Sequence, residues 1–300
     1  MIRRALGILQ RRGLQVMVRA AISRVRGLMA SRAKSFQAYH LLFVGKSGLE
    51  IGGPSGVFAK GGIFPVYPIV GHLDNCNFSR TTAWDVGDIH GNSFRFDQTK
   101  KDGHQHIGEA TSLDALASSS YDFVLSSHML EHTANPIKAL IEWTRLLRDN
   151  GALVLILPNK TYTFDHRRPV TTLDHLIADF KAEMKEDDLT HLPEILAMHD
   201  FQRDPDADDK ESFELRGMQN VANRCLHHHV FDVQLMTDLV KYVGLKVHAI
   251  EEINPYHILL LASWESTPQY PENRECHHDD MKQLRTTYPN VHVHSFQTRS

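Results

Sequence analysis

Twenty histidines in 300 residues give this chain a generous supply of groups that move protons or bind metals near neutral pH, and two clusters stand out. In the first, His128, Glu131 and His132 are spaced i, i+3, i+4. On a helix that spacing puts all three on one face, where they could converge on one ion. A histidine in first place suits an ion softer than magnesium. The same spacing serves equally well if Glu131 complements a helix start while the histidines wall a pocket, so a divalent metal is possible but not predicted. In the second cluster, His227-His228-His229 in an extended segment would alternate sides. His227 and His229 would then point together into a cleft, with His166 joining them. These three are the candidate catalytic acid–base groups. Beside His166, Arg167 and Arg168 carry the forked donors that hold a carboxylate or phosphate. They are candidate substrate ligands, a salt-bridging turn before Pro169 being the plainer alternative.

These groups need a scaffold, and the chain supplies a βα rhythm. Residues 47–51 form a short apolar strand that runs into Gly52-Gly53-Pro54-Ser55-Gly56. Glycines after a strand let backbone N–H groups and a helix start approach a ligand closely. Asp74 lies 22 residues after Gly52, near the spacing at which an acid ends a second strand and takes a ribose hydroxyl; Asp85 and Asp88 are the reserve candidates. Further strands are expected at 67–73, 106–110, 121–127 and 152–158, with a helix over 135–148 stopped by Asp149-Asn150-Gly151. The run ALVLILP at 152–158 is apolar throughout, as in a parallel sheet covered on both faces. The rhythm breaks over 160–228, which carries helical patches at 173–184 and 192–198 and then an acidic stretch. It resumes with a helix at 232–243 and strands at 245–252 and 257–263.

The stretch YDFVLSSHMLEHTANPIKALIEWTRLLRDNGALVLILPN, with GLEIGGPSG and GEATSL before it, resembles class I S-adenosylmethionine-dependent methyltransferases. The likeness is greatest to the group whose fourth strand ends in a His-x-Leu-Glu-His-like sequence, and it covers about residues 48–159, returning weakly at 229–263. The resemblance implies an α/β, Rossmann-like, doubly wound and mostly parallel sheet of seven strands, the last antiparallel, with a largely helical insertion after the fifth strand. It implies S-adenosyl-L-methionine as cofactor. Glu50 would orient the loop or meet the methionine amino group, while Gly52, Gly53, Ser55 and Gly56 line the methionyl and ribose part. Asp74 would bind the ribose, Ala110 and Thr111 would border the adenine, and Ser127 and His128 would face the reacting end. Pro54 stands where such loops usually have their middle glycine. In some O-methyltransferases of quinone and small-RNA metabolism, positions like those of His128, Glu131 and His132 hold a divalent metal.

The expected layout is a basic amphipathic helical arm at 1–40, a cofactor-binding half at 41–159, a cap at 160–228, the rest of the α/β domain at 229–265 and a polar tail at 266–300. The arm holds nine Arg or Lys and no acid; it packs on the body, touches a membrane surface through residues 1–30, or is a cleaved targeting segment. A net charge of −3 gives no reason to expect nucleic acid as a partner. Three scattered cysteines, Cys76, Cys225 and Cys276, argue for a reducing, cytoplasmic setting and against a disulfide framework. The expected activity is in-line methyl transfer to an O or N atom of a small or carrier-linked acceptor. The alternatives are a module that binds S-adenosylmethionine without transferring methyl, and a metal-dependent hydrolase built on His128, Glu131 and His132, a spacing similar to the inverted zinc-protease motif.

Overall fold

The computed structural model describes residues 32–80, 92–204, 207 and 209–264. The arm before residue 32, Asp85, Asp88 and the tail with Cys276 lie outside the described residues. An eight-stranded sheet runs in the order β3 (Ser93–Phe94), β4 (Gly103–Ile107), β2 (His72–Asn77), β1 (Ser47–Ile51), β5 (Tyr121–Ser127), β6 (Leu147–Pro158), β8 (His257–Trp264), β7 (Leu245–Ile253). From β4 to β6 every pairing is parallel, and β8 lies antiparallel between β6 and β7. Without the two-residue β3, which pairs antiparallel at the edge, this is the expected seven-stranded Rossmann-like sheet. The chain leaves β1 toward β2 and β4, then returns to β5 on the other side of β1. Loops at that reversal diverge and leave a crevice beyond the carboxyl ends of the strands.

Side chains in a strand alternate faces, and β6 shows the consequence. Leu153, Leu155 and Leu157 join one core with Ile137, Leu140, Leu235, Met236 and Leu239. Ala152, Val154 and Ile156 join the other with Phe43, Phe58, Phe64 and Leu73. The first face is covered by helices α2 (Pro136–Leu146) and α7 (Val233–Tyr242). Helix α2 begins where Asn135 accepts a hydrogen bond from the Lys138 amide and Pro136 fills the first turn. Asp232 caps α7 through the Leu235 amide. On the second face the cover is α1 (Lys34–Tyr39) and an irregular, aromatic-rich segment between β1 and β2.

That segment corrects one expectation. Residues 67–71 are not strand: Tyr67 and Val70 are buried as packing, and β2 starts at His72. Asp149-Asn150-Gly151 does not terminate the helix either. The helix ends at Leu146, and the tripeptide sits at a register shift inside β6. After β6 the insertion folds as α3 (Leu173–Lys181), α4 (Leu192–Met198), α5 (Lys210–Met218) and α6 (Asn220–Asn223), with a small core of Leu192, Ile195, Ala207, Phe213 and Leu226. Among the described residues no helix is long and apolar enough to cross a membrane.

Candidate active site

A cavity of about 830 Å³ opens where the strands end. One wall is the sheet edge: residues 52–56 after β1, 76–78 at the end of β2, 108–110 after β4 and 127–129 after β5. The opposite wall comes from the insertion, including Asp165, His199, Phe213, Arg216, Arg224 and His227.

The glycine turn is braced from below by a buried carboxyl. Glu50 Oε1 accepts from the Ser55 amide at 2.9 Å and Oε2 from the Tyr67 hydroxyl at 2.6 Å. Gly53 donates its N–H to Asn75 Oδ1 at 2.9 Å, and its carbonyl accepts from Asn75 and Asn77. Gly52 has φ of +83°, where a side chain is strained, and a Cβ on Gly53 would fall 2.3 Å from Glu50 Cδ and disturb the brace. Burial pushes the Glu50 carboxyl up to about 8, against the hydrogen bonds from Tyr67 and Ser55. Through these two bonds Glu50 holds the turn from behind, and it does not line the cavity.

Gly52, Gly53, Ser55, Gly56, Ala110, Ser127 and His128 all line the cavity; Thr111 does not. Asp74 does not either, which corrects its expected place at a ribose. It lies three residues before the end of β2, where its carboxylate takes His72 Nε2 at 2.8 Å, the His104 amide at 2.7 Å and the Tyr121 hydroxyl at 2.9 Å. The residue at the strand tip is Asn77.

Of the candidate catalytic histidines only His227 reaches the cavity. Its Nδ1 meets Asp165 Oδ2 at 2.5 Å. Burial pushes its imidazole down, but the charge and hydrogen bond of Asp165, with the charge of Glu131, together raise it. Asp165 is held down at about 2: burial opposes its charge, and His227 and Arg168 outweigh burial. Glu131 is pushed up to about 7, by burial above all, with the charge of His227 pulling the other way. His166 and His229 point elsewhere: His166 pairs with Asp200 at 2.9 Å, and His229 packs beneath α3 and the segment before α4, in ring contact with His175 and His191.

Arg167 and Arg168 are also corrected. Arg168 is 1% exposed, and its guanidinium is spent on Glu194, on Asp165 and on the carbonyls of His227 and His228. It is an internal clamp. Arg167 lies 3.4 Å from Asp200 at the surface.

The grouping of His128, Glu131 and His132 does not form on a helix. His128 has a left-handed φ of 51°, and only a 3₁₀ turn, Leu130–His132, follows. His128 keeps Nδ1 3.7 Å from Glu131 but turns Nε2 to His257 at 2.8 Å. The set that converges instead is Glu131, His132 and His227, whose donor atoms lie within 4.8 Å of one another. Among the buried polar atoms of cavity-lining residues that make no hydrogen bond to the described residues are Ser127 Oγ and Glu131 Oε2. Sequence reasoning missed Asp165, Asn77 and the acid–base part of Glu131. Asp165 stands next to His166 in the chain, so the segment was found but the wrong member of it was chosen.

Over residues 22–250 the chain matches a protein family described as "Methyltransferase domain". No curated protein sequence matches it. Solved structures similar to it include a SAM dependent methyltransferase from Aquifex aeolicus (13% identity, 74% of this chain and 83% of that one, TM-score 0.38). Others are SAM-dependent methyltransferases from Methanosarcina mazei (12%, 78% and 98%, TM-score 0.41) and Mesorhizobium loti (14%, 76% and 95%, TM-score 0.42).

Proposed function

The chain belongs to the methyltransferase-domain family, and from that premise we propose that it transfers a methyl group from S-adenosylmethionine to an O or N atom of a small or carrier-linked acceptor. The observation that carries this reading is the meeting of residues 52–56, 108–110 and 127–129 at one cavity, whose volume lies in the upper part of the roughly 300–1,000 Å³ range of small-molecule sites. Bare backbone at Gly52 and Gly53 and the unpartnered Ser127 Oγ suit a ligand pressed against the strand ends. Asn77 takes the position at the tip of β2 that Asp74 does not reach.

S-adenosylmethionine, when bound, supplies a methyl group already activated on a sulfonium. What the chain adds is placement, an effect worth roughly 7–11 kcal/mol when geometry is good. Glu131, held near neutrality and facing the cavity, takes a proton from an acceptor that arrives protonated. Asp165 raises the His227 imidazole, and the charge of His227 favours the Glu131 carboxylate. Such a poised acid–base pair, Glu131 in the turn after β5 and His227 on the insertion wall, favours a transferase over a module that only binds the cofactor. The hydrolase reading fails on the left-handed turn at His128. Free, partly or fully buried Cys76 and Cys225 support a reducing, cytoplasmic setting.

Titration calorimetry with S-adenosylmethionine and with S-adenosylhomocysteine tests the first half of the reading. We expect binding in the micromolar range, weakened on the order of 100-fold in Gly53→Val. A wild-type protein that stays folded and takes up neither ligand would sink the assignment. Label transfer from methyl-tritiated cofactor to a panel of hydroxyl, carboxyl and amine acceptors tests the second half.

A further inference from the structure

A second cluster of histidines lies outside the cavity and has no part in the chemistry above. His175 and Asp179 stand one turn apart on α3, His191 immediately precedes α4, and His229 follows the cavity residue His227 by two positions. One donor atom from each of the four lies within 4.8 Å of every other. His175 Nε2 is 3.2 Å from His191 Nε2 and 3.3 Å from Asp179 Oδ2, and Asp179 Oδ2 is 3.7 Å from His229 Nε2, which donates to the Ala134 carbonyl at 3.2 Å and would give up that bond to take a cation. The three imidazole centroids are 5.0, 5.3 and 5.8 Å apart. None of the four residues lines the cavity.

Those separations match one arrangement well. Zinc takes histidine nitrogen and carboxylate oxygen at about 2.0–2.2 Å, and in a tetrahedron such bonds set neighbouring donors about 3.4 Å apart. Two buried polar atoms here also have no hydrogen bond among the described residues, Asp179 Oδ2 and His229 Nδ1. Asp179 is 9% exposed and His229 1%, so water offers little relief, and an unmet carboxylate oxygen among three imidazoles is costly without a cation.

We infer that His175, Asp179, His191 and His229 form a structural site for a tetrahedral divalent cation of the zinc class, stapling two segments of the insertion to the chain that leaves it at residue 229. Magnesium does not fit, since it demands octahedral oxygen donors. The staple fixes the backbone at His229 and so the placement of His227 two residues away. This inference is independent of which cofactor or acceptor the cavity takes.

The test is metal analysis of the full chain after reconstitution with zinc and gel filtration. One equivalent of zinc per chain is expected. His175→Gln/His191→Gln, both partly exposed, should weaken zinc binding well beyond the roughly 10–100-fold that loss of an outer partner costs, while His132→Gln keeps it. Should the double variant misfold, cobalt in place of zinc in the wild-type protein decides: the intense visible bands of tetrahedral cobalt support the site, and a weak octahedral spectrum overturns it. Less than a tenth of an equivalent of zinc in the wild type, or zinc that follows His132 rather than His175 and His191, overturns it as well.

Discussion

The two walls of the cavity are built on different physical plans. The sheet wall is mostly backbone: a glycine turn, three strand tips and a few side chains such as Glu50 and Asn75 that hold the turn from behind. The insertion wall is made of side chains drawn from distant segments, locked by charge. Asp165 and His227 are 62 residues apart in the chain and 2.5 Å apart in space, and Arg168 ties both to Glu194. A wall of backbone is specified by local sequence; a wall of paired charges is specified by the whole insertion folding at once. The first can hold a constant ligand, and the second is free to vary with the acceptor.

If that division is right, changes at His227 on the insertion wall and at Glu131, whose carboxyl meets it from the turn after β5, should strike turnover and leave cofactor binding alone. Glu131→Gln is expected to lower single-turnover methyl transfer by about 10²–10⁴-fold with the cofactor Kd unchanged in calorimetry; equal losses in both would erase the distinction. Gly53→Val reverses the pattern. By pushing Glu50 out of the brace it should weaken the cofactor by on the order of 100-fold, near 2.7 kcal/mol, while the Asp165–His227 pair stays intact by NMR titration of the histidine. Breaking that pair with Asp165→Asn leaves Arg168 and His227 buried with one partner fewer, and should cost about 3–5 kcal/mol in urea unfolding. Asp74→Asn sharpens the contrast on the sheet side. It removes a hydrogen-bonded carboxylate away from the cavity, so unfolding stability should drop by about 1–3 kcal/mol while the cofactor Kd holds.

Acid and base separate the two walls further. Burial pushes His228 down to about 4 from 6.5, so between those values the unfolded chain binds a proton that the folded chain refuses. Stability therefore falls as pH drops from 6.5 toward 4, by about 1.4 kcal/mol per pH unit for each such proton. Glu50 works in the opposite sense. With its carboxyl raised from 4.5 to about 8, the folded chain keeps a proton that the unfolded chain loses, and stability falls as pH rises across that interval. Urea midpoints measured from pH 4 to 9 should flatten on the acid side in His228→Gln and on the alkaline side in Glu50→Gln.

The same division explains what could be read in advance. The strand before the glycine turn, the buried strand Tyr121–Ser127 and the run into Pro158 carry their periodicity within a few residues, and the sheet follows from them. Asp74 falls short of the strand tip because the strand expected at 67–73 begins five residues later, at His72, behind an aromatic-packed loop, and runs on to Asn77. Arg167 and Arg168 have the right chemistry for an anion, but burial is a tertiary property, and only the fold reveals that Arg168 spends its donors inside. Glu131 and His132 were singled out together with the wrong third partner, since no local pattern announces a contact with His227.

The placement of β8 between β6 and β7 bears on how the protein can be cut. Residues 152–158 of β6 pair with 257–263 of β8, and the loop before β8 brings Tyr256 to the cavity mouth and His257 against His128. A fragment ending with the insertion would bare an apolar strand edge, an invitation to sheet-to-sheet association, and would open one side of the reaction chamber. The last hairpin both completes the sheet over β6 and forms the jamb of the doorway, so this fold has to be expressed whole.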